Sequence, residues 1–459
     1  MKSVKHNIMP ILAVCIVLFQ VITLKAAPAA ANKPEVLSMD IPYGQLTLIH
    51  AQQIALEASP VVEEMLARIE EAQAIARQKQ ADWWPTMSVH AGQDWQNWST
   101  RPDWKPEKRM DESSNHFNAG IQVNWLLFDG FSRRASILAA KARVLSAQEL
   151  SNEARRLLAE SVAGTYYQAQ LAAEAMQIAR QNALFNRNLE HDAEKRFLAG
   201  DIPEAEYLNF SVKSLQAENH FLKARQELSA VCIMLAKLLA LPGSELPKDM
   251  YPEVGKPIQT LAQLPELADE LNYALQHRPD LQALAAQSEA LTQDKHNIRG
   301  SYYPKITAHS SYDYDKYNNY GSIDQDEHGS TVGLRLSWDI FSGGKRSARI
   351  QAADAGLLQL QKQKQQKILE IKAALQEALV KAESSRAVYQ RECYTLMLVQ
   401  KIRDHVERSY RAGATTLTRL NEAQSDLVSV SAAVAISRIN YLQQLESLRA
   451  ASGRILEEV

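Results

Sequence analysis

Cysteine is scarce in this chain: there are three in 459 residues, and Cys15 falls in a leader-like opening segment. A disulfide-stapled scaffold is therefore excluded, and burial of apolar surface must hold the fold. After residue 24 no apolar run approaches the roughly 20 residues of a spanning helix, which excludes a helical membrane bundle. Basic charge is not in excess either. Lys and Arg number 51 against 53 Asp and Glu, a net charge of −2, so no electrostatic footprint for nucleic acid exists. Proline is missing from 131–199 and from 345–412, where the only glycines are Gly164 and Gly356. Catalytic signatures are missing as well: no His-Glu-x-x-His, Cys-x-x-Cys or Gly-x-Ser-x-Gly occurs. Gly343-Gly344-Lys345-Arg346 lacks the upstream glycine and the following Ser or Thr of a phosphate loop, so it reads as a turn into a helix. No enzyme activity, cofactor or resident metal is expected.

Lys2 and Lys5 precede an apolar stretch from Ile8 to Leu24, followed by Ala26, Ala27 and Ala29–Ala31. This pattern predicts a signal peptide over 1–27, with a membrane anchor as one alternative and a lipoprotein signal at Cys15 as another, the latter opposed by Val14 before it and the apolar residues after it. Its removal leaves 48 basic and 53 acidic residues, a net charge near −5.

The remaining chain says the same thing twice. Ala55, Leu56, Pro60, Trp83, Trp84, Pro85 and His90 recur as Ala274, Leu275, Pro279, Tyr302, Tyr303, Pro304 and His309, 219 residues on. Gly120, Trp125, Phe128, Gly130, Arg133, Ile137, Ala199 and Gly200 recur as Gly333, Trp338, Phe341, Gly343, Arg346, Ile350, Ala412 and Gly413, 213 residues on. From Gly130 to Gly200 nothing is inserted or deleted relative to the twin. These two proline-free stretches are rich in Ala, Leu, Gln, Lys, Arg and Glu, and each predicts one helix of about 70 residues, roughly 105 Å long.

A heptad seam runs through Ile368, Ile371, Leu375, Ala378, Ala382, Ser385, Tyr389, Glu392, Leu396, Val399, Arg403, Val406 and Tyr410. A second passes through Leu420, Ala423, Leu427, Val430, Val434, Ser437, Tyr441, Gln444 and Leu448. Alternating steps of three and four are the period of coiled-coil packing. Helices from Pro60 to about Asp82 and from Ile202 to about Leu241 add up to nearly the reach of one long helix. The turns at Gly200 and Gly413 then form one end of a rod. Cys232 would lie about 48 Å from that end and Cys393 about 30 Å, too far apart to bridge within one protomer.

Between the helices lie two hairpins of alternating character. Ala119, Ile121, Val123, Trp125 and Leu127 oppose Gly120, Gln122 and Asn124; Val332, Leu334, Leu336, Trp338 and Ile340 oppose Gly333, Arg335, Ser337 and Asp339. Their partners set Met87, Val89, Ala91 and Trp95 against Ser88, His90, Gly92 and Asp94, and Ile306, Ala308, Tyr312 and Tyr314 against Thr307, His309, Ser311 and Asp313. A period of two marks strands with one apolar face. On an exported rod with no globular layer to cover, that face suits lipid, and the strands suit a closed barrel. Trp95, Trp125, Trp338 and Tyr314 would lie near its aromatic girdles. His90, Asp94, Gln122, His309, Asp313, Arg335 and Asp339 would line the lumen. Four strands cannot close; two chains would supply eight and three would supply twelve. Ser99–Ser114 and Asn318–Gly329 read as polar hairpin tips, and a proline-rich linker over 242–270 joins the halves.

Taken together, these features resemble the TolC family of outer-membrane efflux proteins across 46–453. The resemblance is carried by the duplication, by Trp83-Trp84-Pro85 and Tyr302-Tyr303-Pro304, and by Trp125-Leu-Leu-Phe-Asp-Gly130 with Trp338-Asp-Ile-Phe-Ser-Gly-Gly344. Arg196-Phe-Leu-Ala-Gly200 and Tyr410-Arg-Ala-Gly413 with Leu420-Asn-Glu-Ala423 complete it. The implied fold is mainly α with a membrane β-barrel contribution: a duplicated coiled-coil tunnel plus four strands per protomer, closing as a 12-stranded barrel in a homotrimer. In domain terms this gives a first repeat over 28–241 (hairpin about 86–128, helices 130–199 and 202–241) and a second over 271–459 (hairpin about 305–341, helices 345–411 and 414–453). The implied setting is the outer membrane of a Gram-negative bacterium, with most helical mass in the periplasm.

The implied partners are a periplasmic adaptor and an inner-membrane pump of RND or ABC type. Adaptor contact would fall on Arg196, Phe197, Ala199, Gly200, Tyr410, Ala412, Gly413 and Leu420. The sequence departs from the family twice. Ser409 stands where the first tip has Arg196, and Arg419 and Glu422 stand where acidic residues often narrow the tunnel mouth. Arg419–Glu422 links are therefore the gate candidates, with a solvated surface pair as the alternative. Two other readings remain: a duct for type I protein secretion, and a periplasmic coiled-coil scaffold without a pore.

Overall fold

Two helices of 67 residues, α3 (Ser132–Leu198) and α7 (Lys345–Arg411), form the backbone of the molecule. The computed structural model describes residues 46–100, 110–243, 245–247, 250–252, 258, 261–320 and 323–457. The expected signal peptide 1–27, the lead-in to residue 45, tip residues 101–109 and linker residues 253–257 lie outside the described residues. At 1.5 Å per residue each long helix runs about 100 Å. Their equal length follows from the matched spacing of the two halves in sequence.

Companion helices complete each half. α1 (Leu48–Ala58) is capped by the Thr47 hydroxyl, which accepts from the His50 amide at 3.3 Å. α2 (Pro60–Ala81) starts on proline, and the Ser59 hydroxyl accepts from Val61 N at 3.3 Å. α4 (Glu204–Leu238) returns from the tip at Gly200. The second half repeats the order with α5 (Leu267–His277), α6 (Pro279–Gly300) and α8 (Leu417–Ser452). α1 and α5 are additions to the sequence reading. Pro60 was read as a helix start, but Pro60 and its twin Pro279 each also end a preceding eleven-residue helix. The residue before proline is held extended in both (Ser59 φ −72°, ψ 125°; Arg278 φ −67°, ψ 125°), which breaks the rod into two pieces.

The heptad seams are where the helices meet. On α7, Ile371, Leu375, Ala378, Ala382 and Tyr389 are buried, and the other seam positions from Ile368 to Tyr410 are half-buried. On α8, Leu420, Ala423, Ser437, Tyr441 and Leu448 are buried. The largest apolar cluster joins α1, α3 and α4 through Ile54, Val162, Tyr166, Leu228, Leu235 and Leu239. The Tyr166 hydroxyl donates to the Leu46 carbonyl at 2.9 Å, and Gln52 Nε2 donates to the Ala159 carbonyl at 3.2 Å, fixing α1 on one face of α3. Cys232 and Cys393 are free thiols, and burial pushes the Cys232 thiol up to about 11.

Strands β1 (Thr86–Thr100), β2 (Met110–Phe128), β3 (Lys305–Tyr320) and β4 (Ile323–Ser337) form one antiparallel sheet in the order β1-β2-β3-β4. The β2–β3 ladder joins the two halves. All four strands exceed the 9–11 residues that cross a bilayer, and they run into the stretches first read as hairpin tips. β4 ends earlier than expected. Lys305 pairs with Ser337, so Trp338 would face Pro304, which has no N–H to donate. Asp339 and Ile340 therefore lie past the strand, and Asp339 is not a lumen-facing strand residue.

Candidate functional site

The sheet has one polar and one apolar face. Across the ladders, Ser88, His90 and Asp94 of β1 share a face with Gln122, Gly120 and His116 of β2, Ser311 and Asp313 of β3, and Arg335 and Gly333 of β4. The other face carries Met87, Val89, Trp95, Ile121, Tyr312, Val332, Leu334 and Leu336, all exposed in the protomer (Val332 85%, Trp95 72%). Exposed apolar area of this extent on a regular sheet marks an interaction surface.

Six lumen candidates fall on the polar face in pairs that sequence spacing could not give. His90 Nε2 lies 3.6 Å from Asp313 Oδ1 above Gly120, where a Cβ would stand 2.4 Å from that oxygen. Only glycine permits this approach. His309 covers Gly333 in the same manner in the second half, with a Cβ there 2.8 Å from its Cε1. Gln122 sits between Ser88 and Ser311, and Arg335 is paired with Thr307. Asp94 faces His116, whose Nε2 lies 2.7 Å from Asp315 Oδ1. The sequence reading missed His116 and Asp315. Both hold the parity of Gly120 and Asp313, and extending the alternation upward would have found them.

Below the sheet each half builds a neck from the same parts. Trp125 Nε1 donates to the Trp83 carbonyl at 2.9 Å, and Trp338 Nε1 donates to the Tyr302 carbonyl at 3.0 Å. The Arg133 guanidinium lies over the Trp83 ring at 4.4 Å, and that of Arg346 over Tyr302 at 5.1 Å. Arg133 also donates to the Asp82 and Leu127 carbonyls at 3.1 Å, with its Nε 3.3 Å from the buried Asp129 carboxylate. Arg346 donates to the Asp339 carbonyl.

At the far end the two tips are tied together. Arg196 Nη1 reaches the Tyr410 hydroxyl at 3.4 Å, and Phe197 stacks on Tyr207 with centroids 5.5 Å apart. Burial, the main cause, pushes the Tyr410 phenol above its ordinary value, partly opposed by Arg196. Ala193, Ile202 and Phe210 form the small core beneath. Arg196, Ala199, Gly200, Ala412 and Gly413 are exposed, as is Leu198 (78%), which had not been singled out. Leu420 is 1% exposed. It fills the α7–α8 seam and offers nothing to an adaptor. Arg419 Nη1 lies 3.1 Å from Glu422 Oε2, both side chains more than half exposed.

Among the described residues no helix is long and apolar enough to cross a membrane, and no cluster of three or more His, Cys, Asp or Glu could hold a metal.

The profile of the outer membrane efflux protein family matches residues 51–241 and 271–454, two segments that correspond to the duplicated halves. Protein CyaE of Bordetella pertussis is 24% identical over 416 residues, covering 89% of this chain and 84% of its own. The alkaline protease secretion protein AprF of Pseudomonas aeruginosa is 22% identical, covering 90% and 85%. The crystal structure of the outer membrane protein VceC from Vibrio cholerae superposes with a TM-score of 0.71 at 18% identity, covering 88% of this chain and 96% of its own. The chain thus belongs to the outer membrane efflux protein family and is an outer-membrane channel component of an efflux or export system.

Proposed function

We propose that three copies of this chain close a 12-stranded barrel above a common helical tunnel, forming a passive duct from the periplasm to the outside. The observation that carries this is the four-stranded sheet with free edges at β1 and β4 and an exposed apolar face. In lipid, unpaired edge amides are too costly to leave, so the edges must pair between copies. Two copies would give eight strands, whose interior side chains fill. The polar face of His90, His116, Asp313 and Asp315 needs water, which twelve strands can enclose.

The exposed tip residues Arg196, Leu198, Gly200, Ala412 and Gly413 are the surface offered to a periplasmic adaptor, and an inner-membrane pump supplies the energy. An adaptor opens the tunnel only by binding the dilated state more tightly than the closed one. AprF's name favours polypeptide export as one cargo class, and the family's name favours efflux as the other reading. The test is single-channel recording in planar bilayers. Trimeric protein is expected to give discrete conductance steps, and absence of steps from intact trimers would refute the duct. If Arg419–Glu422 pairs narrow the mouth, Arg419→Ala and Glu422→Ala each raise conductance; unchanged steps leave the pair as a solvated surface contact.

A further inference from the structure

Immediately under the sheet, between the start of α3 and the end of α6, lies a cleft of about 400 Å³. Its walls carry Arg134, His296 and Arg299, with Phe131 and Tyr303 at the rim. None of those three basic side chains forms an ion pair or hydrogen bond with a described residue. Gly130 and Gly300 bring the walls together, for a Cβ on Gly130 would stand 2.4 Å from the Gly300 carbonyl. Ser132 fastens the closure through its hydroxyl to Asn297.

The cleft opens on the outer side of the wall. Arg134 and Lys141 stand 25 residues, or about seven turns, before Ala159 and Tyr166, and so share their stripe of α3. Ala159 packs on Ile455, and Tyr166 holds Leu46. Three copies of the chain segments at Leu46 and Ile455 inside a shared tunnel would block it, so on the trimer reading their stripe faces outward. The vertical level is fixed too. β2 ends at Phe128 and β3 starts at Lys305, within three residues of the rim.

Phe131 supplies an independent sign of purpose. Its φ of 67° is left-handed, a conformation costly for any residue with a Cβ. The equivalent residue in the other half is Gly344, which adopts φ 80° without that cost. The strain places an aromatic ring, 65% exposed and edge-on to Phe128 at 5.7 Å, at the lower edge of the apolar face. The basic residues are equally one-sided. At the duplicate positions of Arg134, His296 and Arg299 the chain holds Ser347 on α7 and Arg77 and Gln80 on α2.

We propose that this cleft binds the phosphodiester headgroup of a phospholipid from the periplasmic leaflet of the outer membrane, one per protomer. Arg134 and Arg299 clamp the phosphate as charge-assisted donors, His296 adds a third, and Phe131 and Tyr303 lie against the glycerol and upper acyl chain. The site rests on the barrel reading above, since it needs a bilayer beginning at the end of β2.

Native mass spectrometry of the detergent-purified trimer, titrated with dioleoylphosphatidylglycerol, tests both readings separately. Wild type is expected to retain up to three lipids per trimer. Arg134→Gln with Arg299→Gln should weaken binding roughly thirtyfold, at about a factor of five for each arginine near a lipid surface. Arg77→Gln, on α2 at the duplicate position of His296, should bind as wild type does, and Arg134→Lys with Arg299→Lys should recover most of the loss. The trimer peak in the same spectra reports whether the assembly survives, so a lost lipid on an intact trimer speaks of the cleft alone. Equal retention by wild type and the double glutamine variant would overturn the proposal. So would displacement of the lipid by millimolar inorganic phosphate, which would make the cleft a site for the free anion.

Discussion

The two necks share a plan and differ in one carboxylate. In the first, Arg133 is held by two carbonyls, the face of Trp83 and Asp129. In the second, Ser342 stands at the position of Asp129, and Arg346 keeps the face of Tyr302 and a single carbonyl. A buried guanidinium with a carboxylate partner is a locked joint, because neither charge can leave without stranding the other. A guanidinium on a ring and a carbonyl has no such partner to strand. Duplication therefore conserved the geometry, one arginine under one aromatic residue, while the electrostatic lock stayed on one side.

That comparison can be broken most directly at the arginines. Arg133→Ala leaves the Asp129 carboxylate buried and alone, and is expected to cost about 3–5 kcal/mol. Arg346→Ala should cost about 1–3 kcal/mol, for one hydrogen bond and one cation–π contact. Thermal dissociation midpoints of the trimer in detergent measure both, and equal losses would erase the distinction between the necks. The tryptophans sharpen the opposite claim, that the hydrogen-bonded frame is equivalent. Trp125→Phe and Trp338→Phe each remove one indole N–H donor and should each cost about 1 kcal/mol by the same measurement. A large difference between them would show that the twin bonds bear unequal loads.

The smallest effect concerns the helix joints. In the first half Ser59 caps α2 with its hydroxyl. In the second, Arg278 replaces it, and its Nη2 lies 2.7 Å from Asp280 Oδ2 while Nη1 donates to the Ala451 carbonyl. Burial alone would raise the Asp280 pKa, but the hydrogen bonds and charge of Arg278 outweigh it and hold the carboxyl below its ordinary value. The sign follows: this contribution is fully present above the ordinary aspartate range near 3.8 and is lost as pH falls through the lowered value. Hydrogen exchange should find the first amides of α6 loosening below about pH 4, where those of α2, which has Val61 at that position, stay unchanged.

Much of this architecture was legible from spacing. The indel-free interval between Gly130 and Gly200 and its twin fixed two helices of one length, and the three-and-four seam named residues that turn out buried or half-buried. Alternation identified the polar face from His90 to Arg335. Reading failed where a residue belongs to two patterns at once. Leu420 sits both in a family-like tip motif and in the α8 seam, and burial at 1% decides for the seam. Asp339 kept the strand's parity, but Pro304 opposite removed the amide the ladder needed. His116 and Asp315 were overlooked because the apolar half of the alternation fades above Phe117, where Asn115 takes the outward parity. Cross-strand and cross-helix meetings, such as the Arg133 hub, depend on register, which no spacing within one segment encodes.

Counting chains in the detergent-extracted particle tests the central claim most directly. Native mass measurement is expected to return three copies, with reconstituted density showing twelve strands around an open lumen. A particle of one or two copies, or a protein that stays dispersed in water without detergent, would contradict the account.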